Sequence, residues 1–558
     1  MPTLQFKGKN IIWNHHLSVP YHSMDEVDDL HYQPEKGQHQ IIEGDNLVAL
    51  KAMLPKYAGE VKCIYIDPPY NTGNEEWVYS DKVNSPLIRD WLNKIVSKDD
   101  LTKHDKWLCM MAPRLKMLRE LLSEDGLIFI SIDDYEIHNL RSICNEIFDE
   151  ENLIANFTWR TDGNFDNQAK IKINHEYVLC YAFDKSKFEF PEIIDPNVLE
   201  DSKLFNDDIV NTIVKNGPKN PISSITLPKG FPANFENGII EKRQNKWPHF
   251  KEKAEIENYK LKSPVEVSSG WSSKRLFELY LGNNLQGVLD TKGQITEFYL
   301  TENGAIEARK KREINSHVIS SLVNLGSTQA MSAELKEMAI DFDYPKPTSL
   351  IKYLLQVLKD KNCVILDSFA GSGTTMHAVM QLNKEDGGNR QCIMVQMPEN
   401  SESEPDKNVC RDITRQRVKL AIEKHGFSSG FKYLRVGSPI DPETMLDGDL
   451  PTYQQFAEYV YYLATGGHLA DKTKVDASKH FVGIEGGQAV YLIYEQDMDK
   501  LSRLALTLQI AESIVKHSPG KRRVVFAPSC FLDEEYMTAM QIEFVSVPYN
   551  LFERKNNG

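Results

Sequence analysis

The sequence predicts an α/β chain: a largely parallel sheet interrupted by a long insert, then a smaller C-terminal α/β section. Three observations predict it. Strand-like apolar runs alternate with helix-like ones from about residue 39 to 183, the signature of a parallel sheet covered on both faces. The rhythm breaks near 185 and returns as strand–turn–helix in CVILDSFAGSGTTMHAVMQL, residues 363 to 382. And 558 residues exceed what one core ordinarily holds. The expected boundaries are 1–184 and 341–439 for two parts of one sheet, 185–340 for the insert and 440–558 for the C-terminal section.

In chain order, HQIIEGDN (39–46) reads as a strand ending in a turn and LVALKAML as the helix after it. KCIYID follows as a buried strand. DKWLCMMAPRLKMLRELLSEDG has apolar residues at helical spacing and a stop at Gly126. LIFISID (127–133) is the next strand, and YEIHNLRSICNEIF the next helix. NFTWR and HEYVLCYAF (175–183) read as a closing antiparallel pair. After the insert and the 363–382 unit comes a strand, QCIMVQM (391–397). Beyond FKYLRVGSPIDPE the chain offers helices over 453–464 and 497–516 and strands in AVYLIYE, RRVVFAP and IEFVSVPY.

Composition is that of an ordinary globular protein. No apolar run approaches the roughly 20 residues of a membrane span, and MPTLQFKGKNIIWNHH lacks a signal-peptide pattern, so the cytoplasm is the expected location. Eight cysteines without a CxxC pair argue against a zinc site or a disulfide framework, and the histidines show no metal-ligand spacing. Net charge is −15, but a nucleic-acid partner needs only a local basic surface. Residues 215–280 hold about 12 Lys/Arg against about 7 Asp/Glu, with Trp247, His249, Phe250 and Trp271 among them.

In open parallel sheets, ligands sit at the carboxyl ends of the strands. Asp45, the Asp67–Tyr70 stretch and the 367–375 turn fall at such ends. DSFAGSGTT places a carboxylate, Asp367, before Gly371-Ser372-Gly373, where glycine permits a tight turn and close backbone approach. It lacks the lysine of a P-loop and, with Met376, the third glycine of a dinucleotide fingerprint. A small adenosine-bearing ligand fits better. IDPPY puts an acid, two prolines and an aromatic ring where a buried strand ends. The exocyclic amine of a nucleobase is a poor nucleophile because its lone pair is delocalised. Acceptors on both N–H groups, the Asp67 carboxylate and the Pro68 carbonyl held by proline geometry, would turn that lone pair toward an electrophile. Tyr70 can stack on a base taken out of the duplex.

DPPYNTG together with FAGSGTT resembles the S-adenosylmethionine-dependent amino-methyltransferases of DNA. The order, tetrapeptide before glycine loop with a long insert between, resembles their permuted beta class. IYIDPPYNTG, EGDNLVALK and the C-terminal extension resemble the Mod subunits of type III restriction–modification systems. The resemblance covers roughly 35–185 and 340–435. It implies a Rossmann-like methyltransferase sheet, an inserted target-recognition domain and S-adenosyl-L-methionine as cofactor; no metal is expected from the cysteine and histidine spacing. It also implies Asp67, Pro68, Pro69 and Tyr70 as the catalytic tetrapeptide, and Phe369, Ala370, Gly371, Ser372 and Gly373 with Asp367 as the cofactor loop. Asp45 matches the acid near the cofactor's adenine, and Lys346, Pro347 and Thr348 in YPKPTSL match the segment near its methionine. The ribose acid at the end of the following strand is replaced by VQMPE, leaving Gln396 or Glu399. Asp at the head of the tetrapeptide implies adenine N6 over cytosine N4.

Each of these residues has a plainer reading. Asp45 can be a helix cap, Lys346 a solvated loop lysine, and Asp133 and Asp134 caps. The activity so expected is methyl transfer to adenine N6 in a short site of double-stranded DNA with the target base flipped out. The expected assembly is a homodimer with a nuclease-helicase restriction subunit, the C-terminal section serving partner contacts. The competing reading is a recognition and scaffolding subunit that delivers such a partner; RNA or cytosine-N4 methylation ranks behind both.

Overall fold

The computed structural model describes the chain except residues 1–2, 73–102, 162–169, 190, 200–201, 292, 313–316, 400–405, 442–443, 446–449 and 548–558. Gly73, which ends the DPPYNTG motif, and the final Pro548-Tyr549 of IEFVSVPY lie outside the described residues. Two compact units form, Met1–Pro191 with Ile319–Gly558, and Glu192–Val318.

The larger unit is built on a ten-stranded sheet. In chain order its strands are β1 (His22–Glu26), β2 (His39–Glu43), β3 (Val61–Ile66), β4 (Leu122–Ile132), β5 (Leu153–Arg160), β6 (His175–Ala182), β7 (Ser321–Leu322), β8 (Val364–Asp367), β9 (Gln391–Gln396) and β10 (Phe431–Pro439). Across the sheet the order is β1-β10-β2-β9-β8-β3-β4-β6-β5-β7. The six strands from β10 to β4 are parallel, and β6 runs antiparallel to β4. The Gly-loop strand β8 thus lies directly beside β3, with Leu366 opposite Ile64. Strand β3 is buried on both faces, Lys62 alone reaching out, which is why it reads as a continuous apolar run.

Helices α1 (Asn46–Tyr57), α2 (Lys103–Leu121) and α3 (Ile137–Phe148) share one core with Ile64, Ile66, Ile128 and Ile130. The helix expected to run to Gly126 stops at Leu121. The chain then pairs from Leu122 with an irregular register, Val61 opposite Leu122 and Cys63 opposite Leu127. Gly126 is required there because a Cβ would come within 2.8 Å of Leu122 Cδ1. Beyond the insert follow α4 (Thr348–Leu355), α5 (Thr374–Asp386) and α6 (Gln416–His425).

Within the same unit the C-terminal section carries its own four-stranded sheet, and its core includes Tyr21 and Ala52 from the N-terminal part along with Phe456, Val460 and Val490. Tyr21 stacks on Tyr459 at 4.3 Å between ring centroids. The helix of Tyr453–Thr465 starts at a Thr452–Gln455 capping box. The expected 497–516 helix is broken into Met498–Leu501 and Leu508–His517, because Thr507 caps a new start.

The second unit contains two three-stranded sheets and one four-stranded sheet, with a helix at Lys274–Gly282. Its core includes the aromatic residues Phe231, Phe250, Trp271, Phe277, Tyr280 and Phe298 among aliphatic ones. The basic-aromatic surface read into 215–280 is therefore corrected in part. Phe250 and Trp271 are core residues, while Trp247 and His249 are half-buried and stack at 3.6 Å. Lys251, Lys253, Lys262 and Lys274 each pair with a glutamate. Residues 319–340, expected to belong to the insert, fold with the larger unit, where β7 pairs with β5. Among the described residues no helix is long and apolar enough to cross a membrane.

Candidate active site

Because β3 and β8 are parallel neighbours, the residues leaving their carboxyl ends meet. Asp67 follows β3 directly. Its Oδ1 accepts the Tyr70 hydroxyl at 2.8 Å, and its Oδ2 lies 3.0 Å from Lys346 Nζ. Lys346 is no solvated loop lysine: it is 7% exposed, and burial alone would depress its pKa, yet Asp67 and Glu176 move it upward. Its ammonium also lies 4.8 Å from the Tyr70 ring centroid. Burial and the two carboxylates push the Tyr70 phenol far up, so it stays protonated.

Residues that no motif singled out hold the tetrapeptide in place. Trp107 Nε1 donates to the Pro69 carbonyl at 2.6 Å. Asn71 sits in the left-handed region at φ 60°, a conformation that costs a non-glycine residue about 1–3 kcal/mol and needs support. Its amide supplies that support by donating to the Glu136 carboxylate and to the Lys103 carbonyl at 3.1 Å. Glu136 is fully buried and also takes His104 at 2.7 Å and Asn139 at 2.8 Å. The asparagine quoted in DPPYNTG was the visible end of this network. Its partners lie on α2 and at the start of α3, where nothing in their spacing announces a site.

The glycine turn at the end of β8 is equally braced. Asp367 accepts from Phe369 N at 3.0 Å and from the Thr375 hydroxyl. Gly371 N donates to Gln396 Oε1 at 2.7 Å, and Gln396 Nε2 to Glu399 Oε1 at 2.7 Å. Gln396 thus holds the turn, and Glu399 is the exposed end of that pair. Ala370 and Ser372 are buried, and Phe369 is half-buried. Arg417 from α6, fully buried, donates to Ser372 Oγ and Thr374 Oγ1, both at 2.6 Å. Burial lowers its pKa to about 10, which leaves it charged at neutral pH.

Asp45 accepts from Leu47 N at 2.9 Å and Val48 N at 3.2 Å, so the capping reading holds, and Arg114 lies 3.3 Å from its second oxygen. Thr348 opens α4 behind Pro347. Asp133 accepts from Tyr135 N at 2.9 Å, and Asp134 from the Tyr177 hydroxyl at 2.9 Å. Glu334, His377 and His425 bring ligand-type atoms within 4.8 Å of one another, a grouping their sequence spacing hides. Burial, then Arg417, His425 and two lysines, hold His377 down to about 3, and the same charges oppose a cation there.

A sulfonium cofactor carrying adenosine and an amino acid fits the turn on two counts. The buried Ser368 hydroxyl has no hydrogen-bond partner among the described residues, and a Cβ at Gly371 would come within 3.2 Å of Phe342 Cζ, so glycine keeps that side of the turn open. Burial pushes the Asp367 carboxyl up to about 7 against the two hydrogen bonds that favour its ionised form. Between about pH 4 and pH 7 the folded chain therefore keeps a proton that the unfolded chain has released. This stabilisation is full below about pH 4 and lost as pH rises through about 7. Thermal midpoints of wild type and Asp367→Asn from pH 5 to 8 should show wild type losing ground as pH rises. A pH-independent difference contradicts it.

Residues 61–423 match the family described as DNA methylase. The Mod subunit of the type III restriction-modification enzyme EcoP15I of Escherichia coli is 28% identical over 466 residues, 74% of this chain and 68% of that protein. The EcoPI Mod subunit of Escherichia phage P1 is 31% identical over 461 residues, 75% of this chain and 68% of that protein. A solved structure, the putative DNA modification methylase TTHA0409 of Thermus thermophilus complexed with S-adenosyl-L-methionine, is 13% identical. It covers 71% of this chain and 99% of that one at a TM-score of 0.30. The family match opens at Val61, the first residue of β3, and closes at Glu423 in α6, taking in the Asp67 stretch, the insert and the glycine turn. The chain belongs to the DNA methylase family.

Proposed function

We propose that this DNA methyltransferase modifies the N6 amine of adenine in a short site of double-stranded DNA, as the modification and recognition subunit of a type III restriction–modification system. The observation that carries this is the placement of Asp67-Pro68-Pro69-Tyr70 and Gly371-Ser372-Gly373 at the carboxyl ends of adjacent parallel strands. A base amine at one would face a ligand held at the other.

When bound, S-adenosyl-L-methionine supplies an electrophilic methyl group on a sulfonium. The chain's part is orientation. Asp67 and the Pro68 carbonyl accept the two amine hydrogens, turning the nitrogen lone pair toward that methyl. Tyr70 stacks on the flipped base. Trp107, Asn71 and Glu136 keep the tetrapeptide backbone from relaxing. The turn Asp367–Gly373, with Gln396 behind it, holds the cofactor, and Lys346 and Thr348 flank its amino-acid end; Asp45 and Glu399 border the same strand ends. Direct attack needs no covalent enzyme intermediate.

Adenine is favoured over cytosine by the aspartate at the head of the tetrapeptide. Sequence specificity is assigned to the insert, 185–340, whose compact part is Glu192–Val318. Section 440–558 is assigned to partner contacts with a restriction subunit, and the chain to a homodimer. The restriction-subunit partner follows the type III Mod subunits to which the chain is similar.

Mapping methylated positions in DNA from cells expressing this chain alone tests base and site together. N6-methyladenine in one short sequence is expected; N4-methylcytosine would reassign the base, and unmodified DNA would contradict the proposal. Exchanging residues 192–318 with those of a related enzyme should change the methylated sequence and keep adenine as target. If specificity stays with the flanking segments, the assignment of the insert is wrong.

A further inference from the structure

We infer that Glu176 is a positioning residue that draws Lys346 and Tyr70 off Asp67 when the target base enters. The inference rests on the acceptor role of Asp67 proposed above. At rest, one side chain occupies both places an incoming adenine needs. Lys346 Nζ lies 3.0 Å from Asp67 Oδ2 and 4.8 Å from the Tyr70 ring centroid. The other Asp67 oxygen is taken by the Tyr70 hydroxyl at 2.8 Å. Each Asp67 oxygen already has a partner, and a base stacking on that face of Tyr70 meets an ammonium.

A buried ammonium does not leave one carboxylate unless another anion receives it, since an unpaired buried charge costs several kcal/mol. Glu176 is placed to receive it. Its Oε2 lies 3.3 Å from Lys346 Nζ and 3.0 Å from the Tyr70 hydroxyl oxygen. Both donors that block Asp67 already touch Glu176. The hydrogen count agrees. Tyr70 has one hydroxyl hydrogen and two carboxylate oxygens in reach, so it serves one acid at a time. When it and Lys346 turn to Glu176, Asp67 is free to accept the amine N–H. No covalent bond changes, and hydrogen bonds are exchanged one for one.

Topology explains why an acid from this strand is present. β6 is antiparallel to β4, with Tyr177 opposite Ile132, so its first residues lie at the sheet edge where β3 and β4 end. Glu176 is the second residue of β6 and is half-buried there.

The test is single-turnover methylation of a duplex at saturating DNA and cofactor, with cofactor affinity and thermal midpoint measured in parallel. Glu176→Gln keeps the size of the side chain and removes the charge that receives Lys346. It should slow methylation by about tenfold or more and leave cofactor affinity within about twofold. Glu176→Asp should recover part of the rate and serves as the second variant if the glutamine form folds poorly. The double variant Glu176→Gln with Lys346→Met should be faster than Glu176→Gln alone, because no ammonium remains on Asp67. A Glu176→Gln chain at the wild-type rate, or a double variant no faster than the single, would overturn the inference. Asp67→Ala run alongside separates the two levels. If Asp67→Ala is active, the acceptor reading itself fails; if it is inactive and Glu176→Gln is fully active, only the role of Glu176 fails.

Discussion

Replacing Asp67 with alanine is expected to slow methyl transfer on the order of 10²- to 10³-fold, the range seen when one preorganised hydrogen-bonding group is removed from a reacting centre. The loss should fall on turnover. Orientation of the amine lone pair matters in the transition state, whereas the glycine turn assigned to the cofactor is braced by Asp367 and Gln396. Folding should survive, because Lys346, which loses one carboxylate, keeps Glu176 at 3.3 Å. Calorimetry with S-adenosyl-L-methionine and a tritium-transfer assay on the same preparation give the two readouts. A variant with more than about a tenth of wild-type turnover sinks the assignment.

How much of this site was legible depended on whether the signal was local. A buried run ending in Asp-Pro-Pro-Tyr, and a strand ending in Gly-Ser-Gly, are contiguous, and both stand where expected. That the two strands are neighbours is not contiguous information. β3 and β8 are separated by the insert, and only the alternation of strands and helices on both sides of it announced one sheet. Glu176 was in plain view in HEYVLCYAF, but an acid at the start of a strand carries no meaning until the strand's direction is known. Glu136 and Arg417 were hidden for another reason. Each serves a turn through hydrogen bonds to residues far along the chain, Asn71 and Ser372, and helical spacing records only which face a residue lies on.

Aromatic content misled where it was read by type alone. Trp271 and Phe250 fall in the basic stretch of the sequence, yet the small unit that carries them must bury apolar area to fold, and they belong to its core. The indole of Trp271 even finds its partner inside, at the Ser223 carbonyl 3.0 Å away.

The two glycines of the cofactor turn should fail in different ways when each is replaced by valine. Both have left-handed backbone, φ 51° at Gly371 and 85° at Gly373, so a β-branched residue is strained at either position by about 1–2 kcal/mol. What a side chain would meet differs. At Gly373 a Cβ would come within 3.1 Å of the Thr414 carbonyl and 3.3 Å of Val418 Cγ2, behind the turn, where α5 begins against the segment leading into α6. Backbone there cannot give way cheaply, and the Arg417 contacts to Ser372 and Thr374 depend on the same packing. At Gly371 the first contact is the end of the Phe342 side chain at 3.2 Å, on the side of the turn that the cofactor reading assigns to ligand. Gly373→Val should therefore lower the thermal midpoint by several degrees and weaken cofactor binding as a consequence. Gly371→Val should cost less in thermal midpoint than Gly373→Val and weaken S-adenosyl-L-methionine by about tenfold or more, since filling a ligand's space acts on binding directly. Thermal melts with and without cofactor, and calorimetry on whichever variants remain folded, distinguish the two. Unchanged cofactor affinity in a folded Gly371→Val chain would show that the turn is structural only, and the site would have to be sought elsewhere along the strand ends.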